Sequence, residues 1–247
     1  LEDLVVYVSL ILSVLTGGIV LLFIPMKNQK PLKLLLAFSG AFLLSVSFLH
    51  LIPEVYESGP DNIGLFVLVG FLFQLLLEFF SDGVEHGHVH KHDHHHEKSF
   101  PVMIMISLSI HAFVEGIPLE REIHSEFHSA HDHSNHSLLL GVIFHNIPVS
   151  IALMSMLLHA GLSKQKSVFW LSVFALTGPL GAMTGHYFGT EINNVINDFL
   201  DIALAVVVGM FMHISTTILF ESSEGHRFNV LKLTAIILGA LVAMVNL

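Results

Sequence analysis

The 247-residue chain has no cysteine, which excludes both a disulfide framework and a thiolate metal site. Charge is scarce as well. Asp, Glu, Lys and Arg make up 12% of the residues against 53% hydrophobic, too little to cover a soluble domain of this length. The formal net charge of -10 argues against nucleic-acid binding. No H-E-x-x-H motif of a zinc hydrolase occurs. The first apolar segment begins with Glu2 and Asp3, where a signal peptide would be basic, and no A-x-A site follows, so a retained span is expected. Any metal chemistry is left to imidazole, carboxylate and weaker oxygen or thioether ligands.

Long hydrophobic runs are abundant, and a membrane span needs about 20 such residues. Eight segments qualify: 4–25, 32–52, 62–81, 100–119, 138–159, 167–189, 199–220 and 229–246. The expected fold is therefore an all-α polytopic membrane protein with eight transmembrane helices. Basic residues test this map independently. Alternate loops place Lys27, Lys30, Lys33, Lys91, Lys98, Lys164, Lys166, Arg227 and Lys232 on one side and Arg121 alone on the other. Positive residues favour the cytoplasm, so both termini are expected to be extracytoplasmic.

Two polar stretches interrupt this pattern. DGVEHGHVHKHDHHHEK (82–98) holds seven histidines and EREIHSEFHSAHDHSNH (120–136) holds five. Neither has helical or strand periodicity, so loose order is expected for an inner loop at 82–99 and an outer loop at 120–137. Imidazole is a common ligand for borderline divalent metals. These tracts suit metal capture, buffering or sensing at both faces, and also suit a solvated linker.

The polar residues within the spans are more specific. An ionisable residue at membrane depth costs roughly 2.5–3.5 kcal/mol on insertion scales and marks a functional candidate. In PVMIMISLSIHAFVEGIPL, His111 and Glu115 lie four residues apart, on one helical face, and can chelate one ion. In FHNIPVS, His145 and Asn146 precede Pro148, which releases the carbonyl of Phe144; Pro118 is expected to release that of Val114. FLHLIPE repeats the His-to-Pro spacing with His50 and Pro53. His159, His186 and His213 stay open between interhelical hydrogen bonding and ligation. Gln74 and Glu78, near the inner end of FLFQLLLEFF, read as packing or a polar lining. Gly181 and Gly185 form a small-xxx-small face for close helix packing.

The eight spans, the His-rich loop between the third and fourth, HLIPE, HAFVEG and HNIP together resemble the ZIP (Zrt/Irt-like) family of divalent-metal transporters, over essentially the whole chain. Against the family patterns H-N-x-x-D/E-G and H-E-x-P-H-E, the residues His111, Glu115, Gly116, His145 and Pro148 match. Ala112, Asn146, Val149, Ser150 and, in span six, Gly178 depart. The resemblance implies a single transmembrane transporter domain over 1–247 and one principal metal position. His50, His111, Glu115 and His145 would build it, with Asn146 as an auxiliary oxygen. It further implies alternating access by sliding of spans 1, 4, 5 and 6 against the other four.

The expected substrate is a divalent metal ion moving toward the cytoplasm, zinc foremost, with iron, cobalt, nickel, manganese and cadmium compatible with the same ligands. The expected partners are that ion and the lipid bilayer, with a homodimer as the candidate assembly. The expected location is the cell membrane, in a bacterial inner membrane, and no enzymatic activity is expected. Two other classes stay open: a transmembrane haem-binding redox protein with paired histidines, and an intramembrane metallohydrolase with a His/Glu zinc site.

Overall fold

The computed structural model describes residues 2–23, 29–81, 101–120, 137–191, 198–221 and 230–245. Among these residues there is no strand. The helices are α1 (Glu2–Phe23), α2 (Lys30–Val46), α3 (Ile52–Ser58), α4 (Ile63–Ser81), α5 (Val102–Gly116), α6 (Ser137–His159), α7 (Lys164–Ala175), α8 (Thr177–Glu191), α9 (Phe199–Glu221) and α10 (Val230–Val245). Each of the eight apolar segments is thus helical. Six stretches are long and apolar enough to cross a membrane: α1, α2 through α3, α4, α6, α7 through α8, and α9. The other two, α5 and α10, have 15 and 16 residues, about 23 Å of rise against a hydrocarbon core of about 30 Å. Both His-rich loops lie outside the described residues, apart from Glu120 and Ser137.

Proline and glycine set the local irregularities. Pro53 has no N–H to offer the carbonyl of Leu49, and the chain widens into a π-helical turn over Ser47–Leu51, with the N–H of Ile52 donating to Ser47. His50 sits on this turn. Pro118 acts differently from the sequence expectation. The carbonyl of Val114 is not released, because the N–H of Ile117 donates to it at 3.2 Å in a tightened last turn. Span six is split at Leu176, just before the Gly178-Pro179 pair. Gly161 adopts φ 84° after α6, the left-handed geometry that ends a helix.

The helices pack as two groups. One contains α1, α5, α6, α7 and α8; the other contains α2, α3, α4, α9 and α10. Within each group, backbones meet through glycine. A Cβ on Gly181 would strike the carbonyl of Phe113, and one on Gly17 that of Ile147; in the second group Gly70 and Gly209 face the carbonyls of Val206 and Val67. Between the groups, side chains make the contact. Phe38 and Phe42 of α2 stand edge-on to Phe144 of α6, with ring centroids 5.7 and 5.0 Å away.

The buried apolar residues form two clusters. One takes Val6 and Leu10 of α1, Leu138 to Val142 of α6, and Leu204 to Phe211 of α9. The other takes Val14, then Val149 to Leu157, then Ile214 and Ile218 of the same helices. Between them in chain order fall Ser13, His145, Asn146 and His213, all buried. A polar layer therefore divides the core.

The α5–α8 contact makes a testable contrast. Gly181→Ala should lower stability in detergent by on the order of 1–3 kcal/mol, because its Cβ must displace backbone. Gly178→Ala, whose Cβ would meet nothing closer than Leu10 Cδ1 at 3.7 Å, should unfold at the wild-type temperature. Equal thermal shifts for the two variants would contradict this packing.

Candidate metal site

Three buried groups converge in the polar layer. His111 and Glu115 project from α5 one helical turn apart, with His111 Nε2 and Glu115 Oε1 separated by 3.0 Å. His145 projects from the middle of α6, its ring 5.8 Å from that of His111 and inclined by 74°. Each of the three offers a ligand atom lying within 4.8 Å of the other two. Their exposures are 2%, 0% and 0%, so no solvent competes for these atoms. Around a tetrahedral Zn²⁺, adjacent nitrogen and oxygen ligands stand about 3.3 Å apart, which small side-chain adjustments reach from here.

The surroundings of these groups favour a cation. Neither oxygen of Glu115 receives a well-directed hydrogen bond among the described residues, although the side chain is fully buried. A carboxyl group so placed is costly to bury unless a cation or a hydrogen-bond donor meets it. His111 Nδ1 lies 2.9 Å from Oε1 of Gln74, which is buried on α4. Gln74 therefore stands at the level of His111.

The five expected ligands divide three and two. Asn146, next to His145, turns toward α1 and donates from Nδ2 to Ser13 Oγ at 3.4 Å. His50, on the π turn, lies near the backbone of Ala243 on α10 and is not part of the three-residue group. Its Nε2 is buried without a hydrogen-bond partner among the described residues.

The remaining transmembrane histidines have their own partners. His186 Nδ1 of α8 meets Glu120 Oε1 at 2.7 Å, and His213 Nε2 of α9 meets Glu78 Oε2 of α4 at 3.4 Å. Both pairs are interhelical. His159 bonds within its own helix, donating from Nδ1 to the carbonyl of Ser155 at 2.7 Å. Glu120 is a residue that sequence reasoning missed. It opens a His-rich polar stretch, yet it is buried at 1% exposure. The available signal was its position five residues beyond the mid-span Glu115.

A family model described as ZIP zinc transporter matches residues 3–103 and 83–246, which together span nearly the whole chain. The chain belongs to the ZIP family. Its members are transporters of divalent metal ions, and the buried His/Glu group of this ZIP chain is chemically suited to such a substrate. The multiple long apolar helices agree with a multi-pass membrane protein.

If these three side chains hold the ion, Glu115→Gln should weaken Zn²⁺ binding to purified protein at least tenfold, about 1.4 kcal/mol. His159→Ala should bind like the wild type, because that ring serves its own helix. Competition against a zinc-binding dye in detergent measures both, and an unchanged Glu115→Gln affinity would remove the carboxylate from the site.

Proposed function

We propose that this ZIP chain carries a divalent transition-metal ion, zinc foremost, across the membrane toward the cytoplasm by alternating access. His111, Glu115 and His145 are the principal ligands. Asn146 supplies an auxiliary oxygen, and His50 joins from α2 only when the helix groups move. The observation that carries the reading is the convergence of two imidazoles and one carboxylate, fully buried, between two apolar clusters of a ZIP family member.

An arriving ion exchanges its hydration shell for two ring nitrogens and a carboxylate oxygen. With one carboxylate the loaded site holds a formal charge of +1, which the neutral imidazoles and residual water must offset in low dielectric. Any proton bridging His111 Nε2 and Glu115 Oε1 must leave as the metal enters, since one lone pair cannot serve both. Three protein ligands leave a fourth position for water, through which ligands can exchange.

Movement follows the packing. Glycine contacts bind each helix group internally, and the side-chain contacts between groups can re-form after a shift. All three principal ligands belong to the α1, α5–α8 group, so the ion would travel with it past α2 and α4. The distribution of basic residues supports an orientation with both termini outside and the 82–98 stretch in the cytoplasm. The histidines of the two polar stretches would collect the ion on one face and receive it on the other. A homodimer in a bacterial inner membrane is the proposed setting.

Zinc uptake into proteoliposomes loaded with a metal-sensitive dye tests this function. Wild-type protein should accumulate Zn²⁺, and His145→Ala should lose at least nine-tenths of the initial rate, a drop of about 1.4 kcal/mol in transport-competent binding. Equal flux in both would move the path away from α6. No flux of Zn²⁺, Fe²⁺, Co²⁺ or Mn²⁺ in the wild type would overturn the carrier reading.

A further inference from the structure

We propose that Gln74 is a positioning residue for the transport site: its side-chain carbonyl holds the Nδ1–H of His111 and turns the Nε2 lone pair toward Glu115 and His145. The inference rests on the proposed function and adds a residue from the opposite helix group to it.

Gln74 is fully buried in the apolar run FLFQLLLEFF. A primary amide in such a setting is costly unless it is hydrogen-bonded. The bond to His111 at 2.9 Å meets that need. It also sets the chemistry of the ring. An amide oxygen only accepts, so the Nδ1 facing it must carry the hydrogen. In a neutral imidazole the lone pair then lies on Nε2, the nitrogen 3.0 Å from Glu115. Without that acceptor the two tautomers interchange and the ring can turn, so part of the binding energy goes into restoring one arrangement.

The position of Gln74 has a second consequence. The three ligands sit on α5 and α6, while Gln74 sits on α4, so the bond crosses from one helix group to the other. The hydroxyl of Ser107 crosses the same boundary one turn away, donating to the carbonyl of Leu77 at 2.6 Å. Sliding by one helical turn, about 5.4 Å, would carry His111 out of reach of Gln74. Affinity for the ion therefore depends on the relative position of the two groups: high where the bond is made, lower where it is broken. A carrier needs such a difference to release what it has bound.

The test uses the full chain, in detergent for binding and in proteoliposomes for uptake, with Zn²⁺ and Co²⁺ as the probes. Gln74→Met removes the acceptor at similar length, and Gln74→Leu replaces it should the Met variant not stay folded. Gln74→Glu keeps an acceptor oxygen. Loss of the acceptor should weaken Zn²⁺ binding about tenfold, within the range for an outer-shell partner of a metal-bound histidine. It should raise KM more than it lowers the maximal rate and alter the absorption spectrum of bound Co²⁺. Gln74→Glu should restore affinity. Wild-type affinity and an unchanged Co²⁺ spectrum in Gln74→Met would overturn the inference, as would equal impairment of the Met and Glu variants, which would mean packing alone. His111→Ala separates the two levels. If it loses Zn²⁺ while Gln74→Met does not, only the role of Gln74 fails; if it also binds normally, the site itself lies elsewhere.

Discussion

A carboxylate buried in an apolar helical bundle must be answered by a positive or hydrogen-donating partner, and much of this structure is arranged around that constraint. Glu115 has no exposure, and His111 Nε2, 3.0 Å from its Oε1, presents a lone pair when Gln74 holds the Nδ1 hydrogen, so a cation or a shared proton is what can stand between them. Among the described residues, His and Glu also pair between elements, at Glu120 with His186 and at Glu78 with His213. Such pairs add little net stability, because the desolvation of both groups offsets their attraction. Their value lies in specificity. The two pairs between elements fix which helix faces which, whereas Glu115 keeps oxygens that no well-directed hydrogen bond engages among the described residues.

The two modes of helix contact divide the labour between rigidity and movement. Where glycine lets backbones touch, as for Gly181 on Phe113 or Gly209 on Val67, any axial slip drives a carbonyl into the next residue's side chain. Those contacts hold one register. Where Phe38 and Phe42 meet Phe144 edge-on, rotamer changes can absorb a shift at modest cost. The groups expected to slide, from resemblance alone, coincide with the groups that the glycine contacts hold together. Glycine here marks the interiors of the two helix groups, and the aromatic residues mark the surface between them.

Much of this was legible in the sequence, for identifiable reasons. Helical spacing alone put His111 and Glu115 on one face, since residues four apart always share one. The segment map survived because apolar runs of this length have few folds open to them, although α5 and α10 came out shorter than a full crossing. Contacts between helices were less readable. His50 repeats the His-to-Pro spacing of His145, but the π turn before Pro53 places it among different neighbours, and no local pattern signals such a turn. The pairing of Gln74 with His111 was not readable, because the axial offset of α4 against α5 is a tertiary quantity. Pro118 misled for a similar reason: the tightened turn at Ile117 had already engaged the carbonyl it was expected to free.

The ligand count also bears on the kind of protein that could result. A closed four-ligand site stores its ion, because each ligand lost on release is a strong bond broken in low dielectric. Two imidazoles and one carboxylate, with Ala112 and Gly178 where relatives place further ligands, offer fewer bonds and a single negative charge. Such a site holds an ion more weakly and exchanges it faster. Its hold also depends on outer partners such as Gln74, which belong to helices the site can leave. Affinity that changes with position is what separates a carrier from a reservoir, and if the two helix groups slide as proposed, the neutral hydrogen bond from His111 to Gln74 between them would create that change.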